Sequence, residues 1–246
     1  MQRLGCGAVW SGTVDDDVDM CSRGLCASLF SRASEGGSGG DVYFMTVCGG
    51  DRLTRIAIAD VAGHGRRVNA VGEWLLAAMK RHMNDHDAPG LLRELNRAAM
   101  KYGARAISTV AVVAWDAVRH RLEVASAGHP DVLVSRRGGD FESVPFASRG
   151  GQANLPLAVL DNPEFDQVEL ELEPGDRVAV YSDGVLDLPG SGGSASAFAG
   201  SARPSTPHGA SRSSPRSRRS SIACGSSAAA SCTTTTSPWP SSRSTP

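Results

Sequence analysis

DVYFMTVCGGDRLTRIAIADVAGHG, from Asp41 to Gly65, is the stretch whose reading decides the fold. It holds two strand-like apolar runs, VYFMTVC (42–48) and RIAIADVA (55–62), with GGD (49–51) between them as a hairpin turn. After the Gly-His-Gly turn the period changes. Apolar residues at 68, 71, 75, 78 and 79 recur at helical spacing, which predicts a helix from Val68 to Met83. A second helix is expected from Ala88 to Tyr102, with Pro89 in its first turn and leucines at 91, 92 and 95.

Further along, the pattern returns to strands. TVAVVAWD (109–116) and RLEVASAG (121–128) read as a hairpin, followed by DVLVSRR (131–137), QVELELE (167–173) and RVAVYSD (177–183). QVELELE alternates apolar with polar, as a half-exposed antiparallel strand does, and Pro174-Gly175-Asp176 turns it into the last run. Strands, two helices and then many strands define an α+β class built on antiparallel sheets, not a doubly wound parallel sheet. Residues 1–28 are weakly patterned and read as a loose leader.

The 246 residues carry a formal net charge of −1, which conceals a strong asymmetry. All 26 acids and 19 of the 25 basic residues lie in 1–187, whereas the remainder has six Arg, no Lys and no acid. Residues 191–246 include 18 Ser and little apolar periodicity, the composition of a disordered basic tail. Its arginines lack interleaved aromatics, so nucleic acid is not an expected partner. No apolar run reaches the ~18 residues of a membrane span, and the acidic N-terminus does not read as a signal peptide. The six cysteines show no CxxC spacing, which argues against zinc and for reduced thiols in a cytoplasmic protein.

Three acids occupy distinctive places. Asp41 follows a Gly pair and opens a strand. Asp60 ends the apolar run RIAIA, and Asp183 ends RVAVYS before Gly184. Carboxylates at strand ends beside glycine suit hard divalent cations, which take oxygen ligands. The same pattern also suits acids that cap turns, and spacing alone leaves both readings open. His64 and His129 could serve as proton donors, but each sits beside glycine, where holding a turn is the simpler role. Trp74, Leu75 and Leu76 read as helix core.

Taken together, GGD (39–41), ADVAGHG (59–65), LN (95–96), ASAGHP (125–130), NLPLAV (154–159) and LEPGDRVAVYSDGVLD (172–187) resemble the SpoIIE-type branch of the PPM (PP2C-like) protein serine/threonine phosphatases. The resemblance spans about Leu29 to Asp187 and implies a phosphatase domain over 29–190. It also implies an antiparallel two-sheet sandwich flanked by helices, with two Mn²⁺ or Mg²⁺ ions at one edge. In that pattern Asp60 bridges the ions and the Val61 carbonyl ligates one of them. Asp41 supports the first ion through water, and Asp183 ligates the second. The implied chemistry is in-line attack of an activated water on phosphoserine or phosphothreonine. The implied partner is a phosphorylated protein such as an anti-sigma-factor antagonist.

The family pattern ends on a strand beginning Asp-Asp-x-Thr-Leu, and no acid follows Asp187 here. The sandwich is therefore expected to lack that last strand and the centre to lack one carboxylate, which raises the alternative of a pseudophosphatase that binds partners without turnover. The tail itself suggests an origin for the loss. Read one base out of register, codons for TTTTSPWPSS (233–242) permit Asp-Asp-Asp-Leu-Thr-Leu-Ala-Val-Val. Residues from about 191 are accordingly read as a shifted-frame translation.

Overall fold

The computed structural model describes residues 2–31, 40–63, 66–84, 87–146, 154–183 and 221–225. Its centre is the expected hairpin. β5 (Asp41–Cys48) and β6 (Leu53–Val61) turn through Gly49, Gly50 and Asp51, all at positive φ, where glycine is at ease. They join β7 (Ser108–Asp116), β8 (Arg121–Ala127), β11 (Gln167–Glu171) and the early β2 (Val9–Gly12) in a six-stranded antiparallel sheet ordered β11-β8-β7-β6-β5-β2.

A second sheet of seven strands has the order β1-β3-β4-β13-β12-β9-β10. Its members are β1 (Gln2–Arg3), β3 (Asp16–Ser22), β4 (Leu25–Ser31), β9 (Leu133–Ser135), β10 (Phe141–Ser143), β12 (Arg177–Tyr181) and β13 (Ser221–Gly225). Between the sheets lies one core, with Met20, Leu25, Ile58, Trp115, Leu122 and Val180 almost wholly buried. On the other face of the six-stranded sheet pack α1 (Arg66–His82) and α2 (Ala88–Met100). Leu75, Met79, Leu91, Leu92 and Leu95 are sealed there against Phe44, Ala57 and Val112. Each such side chain contributes roughly 1.5–3 kcal/mol by leaving water. Because β5, β6 and β7 are covered on both faces, they read as continuous apolar runs instead of alternating ones.

The helix ends follow local rules. Asp87 caps α2, its carboxylate accepting from the Gly90 N–H at 2.7 Å, with Pro89 in the first turn. α1 ends in Lys80, Arg81 and His82, which suit the negative end of the helix dipole, and Arg55 reaches the Met83 carbonyl. No helix among the described residues is long and apolar enough to cross a membrane.

The α+β sandwich flanked by helices is thus as expected, with three corrections. The stretch read as a loose leader, 1–28, supplies β1, β2, β3 and most of β4, paired into both sheets. Its signal is weak because β3 and β4 bury only one face, through small residues such as Ala27 and Ser31, while acids fill the outer positions of β3. Secondly, Cys21 and Cys26 are bonded across the β3–β4 hairpin, where the register sets them directly opposite each other. Thirdly, the tail is not without regular structure. β13 runs parallel to both β4 and β12 and joins their backbone edges, which would otherwise be unpaired. Its sequence, SIACG, brings no acid into the sheet. The segment 233–242 lies outside the described residues.

Candidate metal centre

At the open end of the β5–β6 hairpin, Asp41 and Asp60 are direct cross-strand partners. Asp41 is buried at 4% exposure. The Val61 N–H donates to the Gly40 carbonyl at 3.1 Å, which ties the strand ends together. A side chain at Gly40 would have no room. Its Cβ would stand 2.8 Å from the Val61 carbonyl oxygen, 2.9 Å from Val68 Cγ1 and 3.3 Å from Asp60 Oδ1. A carbonyl and a carboxylate oxygen therefore face one small space that only glycine leaves open.

The electrostatics of this corner are unbalanced. Burial, then the charge of Asp41, then that of Asp183 push the Asp60 carboxyl up to about 7 from 3.8. A divalent cation would remove that conflict, and the donors are all oxygen, as Mg²⁺ and Mn²⁺ prefer. The residues fit such an ion unequally. Asp41, Asp60 and the Val61 carbonyl belong to one rigid hairpin. Asp183 follows the end of β12, is exposed, and is near enough to act on Asp60. Among the described residues, no three His, Cys, Asp or Glu side chains are already gathered for one ion.

The histidines divide. His64 lies outside the described residues. His129 is buried at 7% exposure, and burial pushes its imidazole down to about 3, against a smaller opposing effect of the Tyr181 backbone. Its Nδ1 pairs with Thr109 Oγ1 at 2.8 Å, and its backbone N–H donates to Ser126 Oγ at 3.2 Å. A neutral, enclosed ring is a turn anchor and not a proton store. Because Thr109 is the β7 partner of Asp60, that anchor stands directly behind the centre.

Several motif residues turn out to hold the scaffold. Buried Asn96 accepts from the Ala158 N–H and donates to the Leu160 carbonyl, both at 3.0 Å, and so clamps the NLPLAV loop. Gly128 is at φ 66, and a Cβ there would lie 2.4 Å from Pro156 Cγ. Asp176 of the Pro-Gly-Asp turn is 2% exposed, accepts from the Glu173 and Arg137 N–H groups, and pairs with Arg136 at 2.7 Å. Apart from the Glu173–Asp176 turn contact, these roles do not show in local sequence, because their partners come from distant loops.

The sandwich, its helix layer and the acidic corner define a PP2C-type phosphatase fold. The family model for stage II sporulation protein E (SpoIIE) matches residues 50–214, and the chain belongs to that family. The matched span contains Asp60, Val61 and Asp183, while Asp41 precedes it. No curated protein sequence matches the chain. Among solved structures, the RsbU and RsbW domains of Rv1364c from Mycobacterium tuberculosis align with TM-score 0.60 and 22% identity, over 69% of this chain and 47% of that one. The chain thus spans about half the length of that relative. RsbX in complex with magnesium aligns with TM-score 0.59 and 14% identity, over 90% of this chain and 99% of that one. The PP2C phosphatase domain and regulatory fragment of SpoIIE from Bacillus subtilis align with TM-score 0.52 and 19% identity, over 75% of this chain and 48% of that one. At these identities the likeness is one of fold.

Proposed function

We propose that the chain is a metal-dependent protein serine/threonine phosphatase of bacterial regulatory type. The observation that carries this reading is the cross-strand pair of buried Asp41 and half-buried Asp60 beside the Val61 carbonyl, at the edge where the family places its metals. Asp60, Asp41, the Val61 carbonyl and Asp183 would hold two Mn²⁺ or Mg²⁺ ions, which would supply a nucleophilic water near neutral pH and offset phosphoryl charge. The chain's own residues do the positioning. The hairpin fixes Asp60 and the Val61 carbonyl, Gly40 keeps their shared space open, and neutral His129 orients Thr109 behind them. Asp60 holds its proton to about pH 7 and gives it up when a cation binds, so binding releases protons. The substrate is a phosphorylated protein, of which an anti-sigma-factor antagonist is the family's example.

A second reading has its own support. No acid follows Asp187, and β13 enters the seven-stranded sheet without one. In that reading the chain is a pseudophosphatase that keeps the partner surface and has lost turnover. Hydrolysis of p-nitrophenyl phosphate by the full chain with Mn²⁺ separates the two. Turnover that vanishes in Asp60→Asn supports the phosphatase. No turnover at any Mn²⁺ concentration leaves the binding module.

A further inference from the structure

We propose that the groove between the start of α1 and the 3₁₀ turn at Gly103–Ala106 receives an acidic segment of the phosphoprotein, an inference that rests on the phosphatase reading above. This groove encloses about 880 Å³ and opens beside Ala62 and Gly63, which directly follow Asp60 and Val61. A chain lying in it would thus run up to the metal corner. Its two walls are tied together, since the Ala62 N–H donates to the Ile107 carbonyl at 3.0 Å.

What lines the groove fixes the occupant. Arg67 comes from α1 and Arg105 from the 3₁₀ turn; both are exposed, and among the described residues no Asp or Glu lines the groove. Among the described residues neither arginine has an ion-pair partner. Trp74 and Tyr102 line the same groove, with ring centroids 4.7 Å apart, and Tyr102 is 49% exposed. Trp74 therefore does more than fill helix core. Two forked cations and an aromatic step in one groove suit a peptide with carboxylates near an apolar residue.

The groove at the other end of the sheets shows the difference. It too is arginine-rich, with Arg119, Arg136 and Arg137, but Glu171, Glu173 and Asp176 line it as well. Arg136 and Arg137 are paired to Asp176 and Glu173 there, so their charge is already matched within the chain.

The test is peptide binding by the full chain, followed by fluorescence anisotropy in EDTA so that nothing is hydrolysed. The probes are a labelled peptide with Asp and Glu around one phosphoserine, and the same peptide with Lys in place of the acids. The acidic probe should bind more tightly than the basic one. Arg67→Glu with Arg105→Glu should weaken it at least about tenfold, and added salt should weaken it further. Tyr102→Ala should weaken it several-fold. If the double reversal melts early, Arg67→Gln and Arg105→Gln replace it, each with a smaller loss expected. Equal affinity for the two probes, no binding, or binding indifferent to both arginines overturns the proposal. Hydrolysis of p-nitrophenyl phosphate is scored separately. Binding without hydrolysis removes the catalytic reading and leaves the groove, and hydrolysis without binding does the reverse.

Discussion

The hairpin half of the acidic corner and the β12 half are built differently. Asp41 and Asp60 are direct cross-strand partners on the face of the six-stranded sheet that carries Tyr43, Ile56 and Ile58 toward the second sheet. Asp183 stands at an exposed strand end, past the last ladder pair at Tyr181. The first half is pre-organised by the β5–β6 ladder, and the second lies outside any ladder. Pre-organisation sets how much each carboxylate contributes, because a fixed ligand loses little entropy when it engages.

The comparison breaks most sharply at Asp60. Asp60→Asn should lower Mn²⁺-dependent hydrolysis by about a hundredfold or more, since it removes charge from the fixed half. Activity retained in that variant would show that the chemistry runs elsewhere. Next comes Gly40→Ala. The added methyl would press on the Val61 carbonyl at 2.8 Å, and backbone cannot swing aside. The expected cost is about 1–3 kcal/mol of stability, with weaker Mn²⁺ binding, read by thermal melts and by titration. Unchanged melts and affinity would mean the space is not the ion's.

Asp183→Asn should do less than Asp60→Asn, with a loss below about tenfold, because the second ion already lacks a partner carboxylate and effects in one coupled site do not add. A loss equal to that of Asp60→Asn would make the two halves equivalent. The gentlest probe is pH. Asp60 holds its proton more firmly folded than unfolded, so its share of stability is fully present below pH 3.8 and is lost as pH rises to about 7. Metal-free protein should melt lower at pH 8 than at pH 5 on this account, by about 2–4 °C for each kcal/mol involved. Mn²⁺ should make up the loss at pH 8, and Asp60→Asn should abolish the pH gap in metal-free protein. A pH-independent gap between metal-free wild type and Asp60→Asn would sink the carboxylate-repulsion account.

Much of this was legible in the sequence where burial is two-sided. VYFMTVC and RIAIADVA stand out because both faces are covered, and the leucines at 91, 92 and 95 stand out because one helix face is. Asp41, Asp60 and Asp183 stand out in the sequence because each lies at a strand end near glycine, and of these the structure pairs Asp41 with Asp60. The early strands escaped notice because a one-sided sheet face can be filled by Ala and Ser. SIACG gave no signal in a Ser-rich tail. The groove escaped for a different reason. Arg67 and Trp74 come from α1, Tyr102 from just past the end of α2 and Arg105 from the 3₁₀ turn, so only the packing of α1 against α2 brings the two pairs to one place.

The placement of β13 bears on how the chain assembles in time. Strands β5 to β8 pair in sequence order, so the four central strands of the six-stranded sheet and its helices can form from residues 41–127. The seven-stranded sheet cannot. Its two parts, β1-β3-β4 and β12-β9-β10, meet only through β13, which pairs Ile222 with Ala27 and with Val178. That closure joins the far ends of the chain and comes after the loop entropy of nearly its whole length has been lost. Synthesis from the N-terminus would leave β4 and β12 as open edges until the ribosome has delivered Ser221–Gly225. The corner holding Asp41 and Asp60 would by then already be folded, which makes the acid pair the early product of folding and the sandwich the late one.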